Sequence, residues 1–126
     1  MNLNEVAQNA LENAKRREAN GAKIDYHTFP MLKHCATEVV EATEAFYPYK
    51  KLSDETKSGK DFSKHAIPNR TESQYNEYRE KFASELADII CCALIIGANE
   101  GIDIEEAVCK CMLKNAKRAY GDGDKL

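Results

Sequence analysis

Apolar residues recur at helical spacing along most of this chain, and this periodicity restricts it to a helical fold. The pattern covers about Asn4 to Glu18, Pro30 to Tyr47 and Ser73 to Asn99, and a fourth segment that follows Asp103 and runs to about Tyr120. The 126 residues include no Trp, and few alternations of β-branched residues indicate strands. We therefore predict one all-α domain over residues 1–126, a bundle of four to five helices.

The apolar stripe of each segment predicts which side chains form the core, since residues three and four apart share one helix face. The stripe of the first segment comprises Val6, Ala7, Ala10, Leu11 and Ala14. That of the second comprises Leu32, Cys35, Ala36, Val39, Val40, Thr43 and Tyr47. That of the fourth comprises Ile104, Ala107, Val108, Cys111 and Met112. The third segment is apolar on nearly every side from Leu86 to Ala98, so we expect it to be buried.

Short polar signals predict where these helices begin and end. Gly21 ends the first segment, and Pro30 suits the first turn of the second. Asp103, with Glu106 three residues later, forms a capping-box-like start for the fourth. Between the second and third segments, residues 49–73 show no clear periodicity. A connection of this length is typical of a functional lid or a disordered segment.

Composition and charge limit the function classes. The net charge of −3 gives no support for binding to a nucleic-acid polymer or a membrane. The N-terminus has no apolar signal sequence, and the run from Leu86 to Ala98 is shorter than the ~20 apolar residues that a spanning helix needs. We therefore expect a cytoplasmic protein. The five cysteines form no Cys-x-x-Cys motif and are expected to act as small buried hydrophobic residues.

Two acidic pairs carry the chemistry: Glu38-x-x-Glu41 on the second segment and Glu85-x-x-Asp88 on the third. Each pair projects from one helix face, and Asp88 lies inside the apolar run. A buried carboxylate must be protonated, paired or bound to metal, and Mg²⁺ prefers carboxylate oxygen. A buried ion-pair network with Lys81 and Arg118 is the alternative. A di-iron site is disfavoured, because no His follows a Glu at the spacing Glu-x-x-His.

The residues from about Leu32 to Tyr120 resemble the MazG-like all-α nucleoside triphosphate pyrophosphohydrolases. The resemblance is carried by Glu38-Val-Val-Glu41, Glu85-Leu-Ala-Asp88 and the ending Lys114-Asn115-Ala-Lys-Arg118. It implies that the four carboxylates hold Mg²⁺, with Mn²⁺ as a substitute. It also implies hydrolysis of a nucleoside triphosphate, standard or non-standard, to the monophosphate and pyrophosphate.

The same resemblance assigns roles to individual side chains. Glu38 and Glu41 are the catalytic candidates, and the general base is one of the carboxylates. The candidates for binding substrate are His34, Lys81, Lys114, Asn115 and Arg118. Tyr78 and Phe82 are candidates for an apolar base pocket. The family assembles as dimers or dimers of dimers, so we expect a homodimer or homotetramer, with the first helix as a candidate interface.

Two other functions remain open from the sequence. The related enzyme phosphoribosyl-ATP pyrophosphohydrolase has a similar helical fold and similar acidic motifs. A helical interaction module that keeps the metal site without turnover is the alternative that is not an enzyme.

Overall fold

The computed structural model describes residues 1–46 and 72–119 and contains four α-helices in these ranges. They are α1 (Leu3–Ala19), α2 (Thr28–Phe46), α3 (Glu72–Asn99) and α4 (Ile104–Ala119). The described residues include no strand, which confirms the all-α prediction. The predicted loop 49–73 lies outside the described residues, except for its last two positions, which begin α3.

Polar caps and glycines end the helices where the sequence predicts. The Asn2 side chain accepts the Glu5 N–H at 2.9 Å and begins α1. After α1, the Ala22 N–H donates to the Arg17 carbonyl at 2.9 Å, across Gly21 at φ 92°. Gly101, at φ 64°, ends α3 in the same way. Only glycine adopts these left-handed conformations without strain, so both positions stop their helices.

The chain divides into two compact units, and the boundaries fall within α2 and α3. The first unit contains Met1–Met31 and Ala93–Leu126, and the second contains Leu32–Cys92. In the first unit α1 contacts α4, and its buried side chains are all apolar: Ala7, Leu11, Ala14, Met31, Leu94 and Ile95. The predicted stripe of α1 therefore forms part of a core.

A side chain from α1 completes the N-terminus of α4 in the first unit. The Asn4 Oδ1 atom accepts the Ile104 N–H at 2.9 Å, and its Nδ2 donates to Asp103 Oδ1 at 2.8 Å. Asp103 also accepts the Glu106 N–H at 3.0 Å, as the predicted cap requires. The Glu106 carboxylate lies 3.0 Å from the Lys110 Nζ, so it pairs along its own helix. The local cap was predicted; the contribution of Asn4 was not.

Helices α3 and α4 approach closely at Gly97. A Cβ atom added there would lie 2.3 Å from Ile104 Cγ1 and 2.6 Å from its Cδ1. Both distances are shorter than any real carbon–carbon contact between unbonded atoms. A side chain at position 97 therefore requires Ile104 to move.

The buried face of α2 in the second unit is not the predicted one. Leu32, Ala36, Val39 and Val40 are exposed, whereas Glu38, Ala42 and Ala45 are buried. The prediction was wrong for these four exposed residues, Cys35 and Thr43 are half-buried, and Tyr47 lies outside the described residues. Apolar periodicity shows which face of a helix avoids water, but not which residues cover it. The helix instead buries the face that carries its first carboxylate.

The predicted burial of α3 holds only for its C-terminal part. Cys92, Leu94 and Ile95 are buried, but Leu86 is 43% exposed and Ile90 is 57% exposed. By length and composition, α3 is also the one helix in the described ranges that could cross a membrane. A helix of this kind is common in protein cores, so it decides nothing about a membrane.

The predicted apolar face of α4 is also uncovered. None of its residues is buried, and Val108 and Met112 are exposed on the side that was expected to face a core. Ile104, at the N-terminal end, is half-buried.

Candidate metal centre

Three of the four predicted carboxylates meet in the second unit. Glu38 and Glu41 come from α2, and Glu85 comes from α3. Each offers an oxygen that lies within 4.8 Å of the others. We call these three side chains the carboxylate cluster. Oxygen ligands at this separation suit a hard divalent cation, which binds all of them at one point.

The burial of Glu38 distinguishes this cluster from an ordinary acidic surface. The Glu38 side chain is 9% exposed, and its Oε1 lies 2.9 Å from the His34 Nε2. Its Oε2 is buried and has no hydrogen-bond partner, and the same is true of Glu85 Oε2. Buried polar atoms without partners are rare in proteins, so each requires an explanation such as an ion.

The pKa of Glu38 is raised above the value of 4.5 for a free side chain. Burial is the main cause, and the negative charges of Glu41 and Asp88 act in the same direction, while His34 opposes them. The direction of this shift means that burial and the neighbouring carboxylates together outweigh the effect of His34 on the ionised form. A bound cation would supply positive charge that favours this form.

Asp88 differs from the sequence-based expectation. It is exposed and does not belong to the three-residue group, although its charge acts on Glu38. The sequence led us to expect a buried Asp88; in the structure Asp88 is exposed and Glu38 is buried. Leu86 and Ile90, which flank Asp88 along α3, are exposed as well.

Lys81 does not neutralise the cluster. It is exposed on α3, and among the described residues of the second unit no lysine or arginine lies within 4.0 Å of the four carboxylates. His34 is the residue that pairs with one of them. The alternative of a buried ion-pair network with Lys81 therefore finds no support in these residues.

Four aromatic side chains of the second unit contact one another, and three of them precede Glu85 along α3. The rings of Tyr78 and Phe82 are stacked, with centroids 5.7 Å apart and planes inclined by 12°. Phe46 of α2 packs at 5.7 Å from Phe82, and Tyr75 lies 6.1 Å from Tyr78. Phe82 precedes Glu85 by one helical turn. Tyr78 and Phe82 were predicted as candidates for a base pocket, but Phe46 and Tyr75 were not. The spacing of residues 75, 78 and 82, which places them on one helix face, could have indicated Tyr75.

The predicted substrate-binding residues of α4 belong to the first unit. Lys114 and Asn115 are exposed, and Arg118 is partly buried. The Asn115 Nδ2 lies 3.8 Å from the Cys111 Sγ, and the Arg118 Nε is buried without a hydrogen-bond partner. Their role in binding substrate stays a prediction from the resemblance.

The cysteines have different environments. Cys92 is buried, and burial raises the pKa of its thiol to about 11, with Cys35 and Glu38 adding to the shift. Cys91, Cys109 and Cys111 are exposed, so the expectation of burial was wrong for them. All five are free thiols.

Comparisons with protein-family models, curated proteins and solved structures find no match to this chain. The geometry of the carboxylate cluster and the sequence motifs are therefore the indications of its function.

Proposed function

We propose that the chain is a Mg²⁺-dependent pyrophosphohydrolase that converts a nucleoside triphosphate to the monophosphate and pyrophosphate. The observation that carries this proposal is the carboxylate cluster, in which the buried Glu38 keeps one oxygen without a partner. The acidic motifs have the order and spacing of those in the MazG-like enzymes, and this resemblance supports a nucleoside triphosphate as the substrate.

The residues present fit a magnesium ion. Their donor atoms are all carboxylate oxygens, and Glu38 and Glu85 each have one oxygen, Oε2, that is buried without a partner. Glu38, Glu41 and Glu85 would hold the ion, and Asp88 would join them after a change in its side chain or through a water molecule. Bound Mg²⁺ neutralises phosphate charge and lowers the pKa of a bound water. Mn²⁺, with the same preference for oxygen, would serve as a substitute.

The side chains of the cluster have separate tasks in this proposal. Glu38 is buried, so its task would be to bind the metal ion and hold it in place. Glu41 is exposed and accepts the proton of the attacking water. The water oxygen bonds to the α-phosphorus, and the bond from that phosphorus to the bridging oxygen breaks. Pyrophosphate leaves with the electron pair of that bond.

The aromatic group supplies a surface for the base. A nucleobase stacks on aromatic rings with little dependence on sequence or base type, at roughly 1–3 kcal/mol per base. Tyr78 and Phe82 present stacked rings one turn from Glu85 along α3. Lys81 is the proposed contact to the phosphates in the second unit, and Lys114, Asn115 and Arg118 stay candidates that the resemblance implies.

A homodimer or homotetramer is part of the proposal. In the described part of the second unit, α2 and α3 expose large apolar side chains, and such faces are typical of interfaces. They are Leu32, Val39, Val40, Leu86 and Ile90. Ala7, Leu11 and Ala14 of the α1 stripe are buried in the first unit, and the role of α1 as an interface stays a prediction. Light scattering on the purified protein would measure the assembly.

A nucleotide panel tests the proposed reaction. The protein is incubated with Mg²⁺ and standard, deoxy and modified triphosphates, and with phosphoribosyl-ATP, and pyrophosphate and orthophosphate are measured separately. We expect pyrophosphate and monophosphate in equal amounts, and no activity in Glu41→Gln. Preference for phosphoribosyl-ATP would identify the related enzyme instead. Metal binding without any turnover would identify an interaction module.

A further inference from the structure

The His34 imidazole forms a hydrogen bond with one oxygen of Glu38. The two residues lie one turn apart on α2, and the Nε2 atom is 2.9 Å from Oε1. An ionised carboxylate only accepts hydrogen bonds, so the Nε2–H donates to Oε1. From the sequence, His34 is a candidate for binding substrate. In the structure its Nε2 atom points to the Glu38 carboxylate.

The two oxygens of Glu38 are therefore not equivalent. Oε1 has the imidazole as its partner, whereas Oε2 is buried and has none. The hydrogen bond also fixes the plane of the carboxylate, since rotation would break it. The oxygen left for a cation is Oε2.

This difference matters because divalent cations use carboxylates differently. Ca²⁺ takes six to eight oxygens and often binds a carboxylate through both of them, whereas Mg²⁺ requires near-octahedral geometry and few protein ligands. When an imidazole holds one oxygen of a carboxylate, the carboxylate binds a cation more readily through its other oxygen alone. Such outer partners change metal affinity by roughly 10–100-fold.

We propose that His34 is a positioning residue that restricts Glu38 to one-oxygen coordination and so makes the carboxylate cluster selective for Mg²⁺ over Ca²⁺. This inference rests on the metal site of the proposed function. It does not require that the protein hydrolyses nucleotides. His34 acts through Glu38 and touches neither the cation nor the substrate.

The test compares metal affinities of the full chain by calorimetry, with Mg²⁺ and Ca²⁺ as separate titrants. The variants are His34→Ala, which frees Oε1, and His34→Gln, whose Nε2–H replaces the imidazole donor. His27→Ala is the matched control, because His27 pairs with Asp25 at 2.7 Å in the first unit. It removes a paired histidine without touching the cluster.

We expect His34→Ala to weaken Mg²⁺ binding by about 10–100-fold and to move the Mg²⁺/Ca²⁺ preference toward Ca²⁺ by about 10-fold or more. His34→Gln should regain most of the wild-type preference, and His27→Ala should keep all of it. A general loss of structure would not be reversed by glutamine, so the rescue separates positioning from folding.

Several results would overturn the inference. One is an unchanged preference in His34→Ala. Another is a His34→Gln variant that behaves like His34→Ala, which would assign the role to the imidazole itself. A wild-type protein that binds neither cation overturns the inference together with the metal site. If the expected shifts occur but no triphosphate releases pyrophosphate, the inference stands and the proposed function fails.

Discussion

The two units of this protein bury different kinds of side chain. The first buries only alanine, leucine, isoleucine and methionine in the described residues, and its helix ends are capped. The second also buries the carboxylate of Glu38, whereas both units expose large apolar side chains, such as Met112 in the first and Ile90 in the second. Local violations of the rules of folding are expected at functional sites, where stability is given up for chemistry. The comparison therefore assigns stability to the first unit and chemistry to the second.

The largest expected effect comes from Glu38→Gln. This change keeps the shape of the side chain but removes its charge, so Mg²⁺-dependent pyrophosphate release should fall by more than the roughly 100-fold that loss of an outer partner can cause. Without metal, the variant should be at least as stable as the wild type, because it removes a buried negative charge that Glu41 and Asp88 repel.

The matched control is Glu44→Gln, an exposed position on the same helix. It should change neither activity nor stability. Steady-state assays and urea unfolding with EDTA measure the two quantities. If Glu38→Gln unfolds the protein or retains full activity, the contrast between the units is wrong.

Leu11→Ala tests the first unit. Leu11 is 5% exposed, so its truncation should lower the free energy of unfolding by about 2–5 kcal/mol. Leu113→Ala, at a position that is 66% exposed, should change it by less than about 0.5 kcal/mol. Denaturant unfolding distinguishes them. Equal effects would show that the described burial does not reflect the folded protein.

Gly97→Ala tests the close approach of α3 and α4. The added methyl group overlaps Ile104, and overpacking of this kind typically costs about 1–3 kcal/mol. Adding Ile104→Ala should make the glycine substitution nearly neutral, since the overlapping atoms are removed. A double-mutant cycle measures the coupling; strictly additive effects would contradict the contact.

Asn4→Ala should have a smaller effect. It removes the side chain that accepts the Ile104 N–H, and loss of such a cap typically lowers stability by about 1 kcal/mol. Asn9→Ala, on the exposed side of the same helix, is the control. Thermal unfolding of both variants checks the difference, and identical melting curves would exclude a role for Asn4 in capping α4.

The smallest expected effect is the pH dependence of the metal-free protein. The pKa of Glu38 is raised above 4.5 in the folded chain, so the folded state binds the proton more tightly than the unfolded state. The stability that this contributes is complete below pH 4.5 and is lost as the pH rises through the raised pKa.

Unfolding free energies of the wild type and Glu38→Gln, measured with EDTA from pH 4.5 upward, isolate this effect. The wild type should lose stability relative to the variant as the pH rises, and Mg²⁺ should restore it. If the difference in unfolding free energy between the wild type and Glu38→Gln does not change with pH, the Glu38 carboxylate is not desolvated.

The sequence predicted the helices better than it predicted what they bury. Gly21, Gly101 and Asp103 are local signals, and local hydrogen bonding decides helix ends. Burial depends on distant partners. The stripe of Val39 and Val40 indicated a core that the described chain does not supply, and the long-range cap by Asn4 left no local signal. The cluster of Glu38, Glu41 and Glu85 followed from motif spacing, but the exposure of Asp88 did not.

Anomalous scattering from crystals of the protein grown with Mn²⁺ would show whether the carboxylate cluster binds a metal ion. We expect a manganese peak within bonding distance of one oxygen each from Glu38, Glu41 and Glu85, with Glu38 bound through Oε2. Crystals saturated with Mn²⁺ that show no peak at this cluster, or a peak only elsewhere on the chain, would contradict this expectation.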